Sequence, residues 1–215
     1  MARNKHPEVT VERILDAAQR LFLQKGYENT TIQDIVNELG GLTKGAVYHH
    51  FRSKEEIMDA VGDRMFLENN PFEAVKGRTD LNGLQKLREA IRLNQADTAR
   101  VEITRQSLPV PLSPRLLVDM VRSNCTVLTP YYQALLEEGN RDGSLHTEYA
   151  REIAELLPLM SSVWMMPSIF PASREALRRK FCFMRDMLAA MGAPIVDDSI
   201  MALVDEFLAS LPELG

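Results

Sequence analysis

The chemistry-bearing residues of this chain crowd into one short segment, Gly40–Glu56, which reads GGLTKGAVYHHFRSKEE. Lys44, Tyr48, His49 and His50 lie there within two helical turns, with little apolar matter to bury. Adjacent histidines suit a metal ion, general base work, or contacts to nucleic acid. The metal reading is poor, because neighbours on a helix point about 100° apart and no third ligand has suitable spacing nearby. Enzyme motifs are missing as well. There is no glycine-rich phosphate loop, nucleophile elbow or HExxH, and no carboxylate pair in a setting that would raise a pKa. His146, in the turn RDGSLHT, is a lone histidine without an identified partner. Cys125 and Cys182 are far apart and read as free thiols of a reducing compartment. No cofactor, metal or catalytic residue is expected.

Helix geometry sorts the segment further. With Thr43 as its cap, a short helix ends near Phe51, and Val47 and Phe51 fall on one side as its buried anchor. Gly45, Ala46 and His49 then face outward, Tyr48 and His50 flank them, and Thr43 and Lys44 form the tip. Small residues let a backbone approach base edges in a major groove. Ala46 can touch a thymine methyl, Lys44 can reach guanine, and Tyr48 and His49 can donate to bases or phosphates. Formal net charge is -5, so such a contact is a local patch and not a property of the whole surface.

The flanking elements have their own start and stop signals. After Thr10, the stripe Ile14, Ala17, Ala18, Leu21, Phe22 predicts a helix that Gly26 ends. Thr31 caps a second, with Asp34 completing a capping box, and Gly40–Gly41 stops it. Ser53 and Glu56 supply another box, opening a fourth helix that runs to about Asn69. The second helix, the glycine turn and the short third helix make a helix-turn-helix, whose second member reads DNA. Thr31 and Lys54 begin the helices on either side, where phosphate oxygens suit exposed N–H groups.

These residues carry a family resemblance. ILDAAQRLFLQKGYENT followed by TTIQDIVNELGGLTKGAVYHHFRSKEEI resembles the N-terminal domain of TetR-family transcriptional regulators over about residues 10–65. Gly26-Tyr27, Thr30-Thr31, Lys44-Gly45-Ala46-x-Tyr48-His49-His50-Phe51 and Ser53-Lys54-Glu55 match its motif. One departure stands out: the turn Gly40-Gly41-Leu42-Thr43 has a glycine more than the family's usual turn. Beyond residue 65 the resemblance is architectural only.

The remaining sequence also predicts helices. NNPFEAVKGRTD reads as a connection, and Leu81, Leu84, Leu87 and Ile91 open the next region. Ser113-Pro114 starts a long helix through Leu136 that Pro130 should bend, EEGNRDGS is a turn, and Thr147 starts another helix. The apolar stretch Leu156–Phe170 is broken by Pro158 and Pro167 and falls short of the roughly 20 residues a bilayer requires, so it reads as a buried helix. Leu177, Phe181, Met184, Leu188 and Met191 form a heptad-type seam, expected to be a dimer interface. Ile200–Leu208 gives a final amphipathic helix.

The expected architecture is all-α. Residues 1–54 form a helix-turn-helix DNA-binding domain, and residues 55–215 a larger ligand-binding and dimerisation domain, its first helix (about 54–69) linking the two. The resemblance implies a homodimeric repressor that binds a palindromic double-stranded operator and leaves it on binding a small, mostly apolar effector. The DNA-contacting set is Thr31, Thr43, Lys44, Gly45, Ala46, Tyr48, His49, His50 and Lys54. Candidate effector contacts are Arg92, Tyr131, Tyr132, Met160 and Trp164. With no apolar leader in MARNKHPEVT, a cytoplasmic protein away from membranes is expected. The rival readings are an α-helical small-molecule enzyme and a nucleoid-type DNA binder without a ligand.

Overall fold

The computed structural model describes residues 7–111 and 113–211, all helix and connection with no strand among them. The chain forms two compact units. The first contains the residues up to Asn69 together with Thr98–Val110; the second contains Asn70–Asp97 and the chain from Pro111 onward.

In the first unit, α1 (Pro7–Lys25), α2 (Ile32–Leu39), α3 (Lys44–His50) and α4 (Lys54–Glu68) are joined by α7 (Thr98–Ser107). Capping explains the starts of the middle three. Thr31, Thr43 and Ser53 each accept a hydrogen bond from the backbone N–H three residues on, satisfying donors that a helix start leaves free. The box expected at Ser53 is only half built, since the Glu56 carboxylate reaches back to the N–H of Arg52 (2.5 Å) and not to that of Ser53. Ile14, Ala18, Phe22, Ile35, Val47, Ile57 and Val61 have no exposed surface and make the core. Ile103 and Val110 bring α7 and the end of its segment into the same core.

Helix α7 is an element that the sequence pattern does not announce, and polar bonds fasten it. The buried Arg100 donates through Nη2 to the carbonyls of Met65 (2.9 Å) and Asn69 (2.6 Å), two acceptors at the open end of α4. Nearly two turns on, Gln106 accepts the N–H of Tyr27 at 2.8 Å and donates to the carbonyl of Phe22 at 3.1 Å.

The second unit holds α5 (Pro71–Lys76), α6 (Gly83–Ala96), α8 (Pro114–Ser123), α9 (Thr129–Asp142), α10 (Ala150–Leu159), α11 (Arg174–Ala190) and α12 (Asp198–Ser210). Helix α5 stands where a connection was expected; Asn70 caps it and Pro71 occupies its first position. Residues 137–142 continue α9 and are not a turn, and α10 begins at Ala150 instead of Thr147. Pro130 has no N–H to return to the preceding turn, and residues 124–128 widen to π-helical bonding, with Thr129 N–H reaching the Asn124 carbonyl. A second π turn, Met160–Trp164, follows Pro158, and the buried Asn124 amide donates to Ser162 Oγ at 2.7 Å. The apolar stretch is only partly buried, because Leu156 and Phe170 are exposed.

The five residues of the expected dimer seam divide by burial. Leu177, Met184 and Leu188 are buried within the chain itself, while Phe181 and Met191 are partly exposed. The side of α11 that faces out carries Phe183, 56% exposed, whose ring meets the Trp164 indole edge-on at 5.7 Å.

Candidate nucleic-acid interface

The interface is assembled from the α2–α3 pair upward. At the start of α2, the Thr31 N–H and hydroxyl both donate to Asp34 Oδ2 (2.8 and 2.7 Å), and the Asp34 N–H donates back to Thr31 Oγ1 at 3.1 Å. Lys25 adds an ion pair at 2.9 Å. The hydrogen bond from Lys25, and after it those from Thr31, hold the Asp34 carboxyl well below the usual carboxylate range. At the other end of α2, Arg13 of α1 donates to the carbonyl of Leu39 (2.9 Å) and Arg20 pairs with Glu38. Helix α2 is thus tied to α1 near both of its ends.

The turn that follows takes two consecutive left-handed residues, Gly40 at φ +48° and Gly41 at φ +98°. Side chains rarely adopt either angle, so the glycines set the direction in which α3 leaves. Leu42 packs against the core, and Thr43 Oγ1 accepts the N–H of Ala46 at 3.2 Å.

Helix α3 then divides by face. Val47 is 0% exposed and Phe51 7%, and the Phe51 N–H closes the helix onto the Val47 carbonyl at 2.9 Å. Opposite them Lys44, Gly45, Tyr48 and His49 are exposed, with Ala46 and His50 partly so. A Cβ built on Gly45 would touch only Thr43 Oγ1, at 3.8 Å, so the surface over it is open. Lys44 Nζ lies 5.9 Å from the centre of the Tyr48 ring, and the two imidazoles meet edge to face at 5.2 Å. No group of three metal-ligating side chains occurs among the described residues. The two ends of the expected set differ from its middle. Thr31 is exposed, yet its amide and hydroxyl are both engaged by Asp34. Lys54 is only partly exposed, and its ammonium is bonded to backbone carbonyls of Tyr27 and Thr30.

Residues 14–61 match the family described as bacterial regulatory proteins, tetR family. Over that N-terminal stretch the chain is similar to the TetR family. Among curated relatives, the transcriptional regulator TtgR of Pseudomonas putida is 43% identical over 56 residues, 26% of each chain. The transcriptional repressor Rv1474c of Mycobacterium tuberculosis is 31% identical over 74 residues, 34% of this chain and 37% of the relative. These alignments therefore span only 26% to 37% of the relatives' own length. A transcriptional regulator from Cytophaga hutchinsonii shares the fold of the whole chain, with a TM-score of 0.58 at 16% identity, covering 97% of this chain and 100% of that one.

The candidate effector residues lie in the second unit in three different surroundings. Tyr131 stacks on Phe72 of α5 at 5.3 Å, and Tyr132 meets the same ring edge-on at 4.9 Å; burial pushes the Tyr132 hydroxyl up to about 12. Met160 is buried, and Trp164 sits against Phe183 and Lys180, whose ammonium lies 5.3 Å from the indole centre. Arg92 is tied to Ser199 (2.9 Å) and Glu89 (3.6 Å). Phe72, Arg100 and Gln106 went unread in the sequence, since polar or aromatic residues 31 to 84 positions from their partners leave no local signal.

Proposed function

We propose that the protein is a homodimeric, sequence-specific DNA-binding regulator, a repressor whose operator binding a small and mostly apolar effector weakens. The observation that carries this reading is the division of α3, with Val47 and Phe51 inward and Lys44, Gly45, Tyr48 and His49 outward. Lys44 at the tip and Tyr48 on the flank, with Ala46 and Gly45 allowing close approach, suit base edges. His49, His50 and the exposed Thr43 suit phosphates at the groove wall.

Seven residues of α3 span roughly 10 Å, about three base-pair steps, too few to define a site alone. A two-fold pair of such helices, set about 34 Å apart, matches a palindrome and doubles the contacts. For the partner surface, the exposed Phe183 and the neighbouring Trp164 are better suited than the buried seam of α11. The buried Met160, Met165 and Met166 and the Phe72–Tyr131–Tyr132 cluster support an apolar, adaptable effector site in the second unit. Helix α7 follows directly from α6, so an effector that favours one arrangement of α6 has a covalent route to Arg100 and Gln106 and through them to α4 and α1. By linkage the effector weakens operator binding by the factor with which operator weakens effector binding.

Selection of bound sequences from random DNA at a fixed salt concentration tests the reading. A two-fold symmetric consensus, protected as one footprint, is expected. Uniform recovery of all sequences would replace it with non-specific DNA binding.

A further inference from the structure

A lysine at the first position of a helix beside a reading head invites assignment as a phosphate contact, yet the Lys54 ammonium is spent on the protein. Nζ donates to the carbonyls of Tyr27 (2.8 Å) and Thr30 (3.0 Å) and lies 3.9 Å from the centre of the Tyr27 ring. Two of its three N–H donors are consumed and the π face covers the cation.

What it holds is the turn between α1 and α2. Tyr27 and Thr30 are both buried, the Thr30 N–H donates to the Tyr27 carbonyl (3.1 Å), and Thr30 Oγ1 donates to the Gly26 carbonyl (2.8 Å). The Tyr27 hydroxyl donates to Glu55 Oε1 at 2.9 Å, so Lys54 and Glu55 grip the same residue from the start of α4. Burial, and after it the bond and charge of Glu55, push the Tyr27 hydroxyl upward, consistent with an enclosed and fully used side chain. Thr31, the cap of α2, follows this turn with no residue between. Helix α3 in turn takes its direction from α2.

We infer that Lys54 is a positioning residue for DNA recognition: it fixes the Gly26–Thr30 turn, and through it the start of α2, instead of neutralising a phosphate. The inference rests on the DNA-binding reading above. Lys44, exposed on α3, is then a cation placed to meet DNA.

The test uses the full chain and its selected operator, with affinity measured across a series of salt concentrations. Lys54→Met keeps the apolar stem and removes the donors. It is expected to weaken binding by about tenfold or more, the scale of losing bonds to a charged donor. The slope of log K against log salt should not change, whereas loss of a phosphate contact would flatten it by about 0.9. Lys54→Arg, whose fork can reach both carbonyls and stack on Tyr27, should recover most of the affinity. Tyr27→Leu should weaken binding too, and the double variant no further than the weaker single one, because both act through one turn.

A flattened slope for Lys54→Met, or losses that multiply in the double variant, would overturn the inference. Amide exchange of Thr30 without DNA supplies an independent readout: acceleration in Lys54→Met is expected, and unchanged exchange counts against the positioning role. If the wild-type chain selected no operator, the regulator reading would fail while this exchange result still judged the turn.

Discussion

Replacing Gly41 by alanine probes how the turn aims the reading helix. Nothing lies within 4 Å of a Cβ built on Gly40 or Gly41, so the cost at either is conformational and not steric. An L-residue held in the left-handed region costs about 1–2 kcal/mol, and the stiffer unfolded chain of an alanine variant returns about 0.4–1 kcal/mol. Gly40, at φ +48° and ψ +98°, lies outside the left-handed well, so the upper figure applies and a net loss of about 1 kcal/mol or more should remain. Gly41 at φ +98° lies outside it too, and a loss of the same size is expected there. Fluorescence would miss the effect, because the single tryptophan, Trp164, belongs to the second unit. Amide exchange at Phe51, whose N–H closes α3, reports it directly: about tenfold faster exchange per 1.4 kcal/mol, with the amides of α1 unaffected. Operator affinity should fall in parallel, and Gly41→Asn, which tolerates left-handed backbone, should lose less. Wild-type exchange at Phe51 in Gly41→Ala would refute the argument.

Phe183→Glu should give monomers in sedimentation at micromolar concentration with helicity intact, whereas Leu188→Glu, at a buried position, should unfold the second unit. Because Asp34 is held below its ordinary pKa in the folded chain, its contribution is present above the ordinary carboxylate range and lost as pH falls below it; Glu55 and Glu102 of the same unit are lowered in the same sense. Protection of α2 amides should therefore drop on acidification below about pH 4, and Asp34→Asn should show a lower but flatter profile. Gly83→Ala would place a Cβ 2.3 Å from the backbone nitrogen of Gly139, so α6 and α9 must separate; a loss of about 3 kcal/mol or more is expected in denaturation followed by Trp164 fluorescence.

The reading head was legible because everything that shapes it is local. Thr31, Thr43 and Ser53 announce their helices within three residues, and the spacing of Val47 and Phe51 states which side of α3 is inward. The supports of that head are not local. Gln106 acts on a turn 79 residues away, and Arg100 on the end of α4, so neither side chain signals its purpose from its neighbours. Lys54 shows the limit from the other side: its position at a helix start fits phosphate binding and turn locking equally, and only the two carbonyls and the ring around Nζ separate them. The seam of α11 makes the same point about packing.

A heptad spacing states that Leu177, Met184 and Leu188 share a buried face, but the pattern is identical whether a second subunit or the chain's own helices cover it. The residue that breaks the pattern carries more information. Phe183, large and apolar beside the seam, is left open to solvent by its own chain, which makes it the position at which the proposed dimer is best tested.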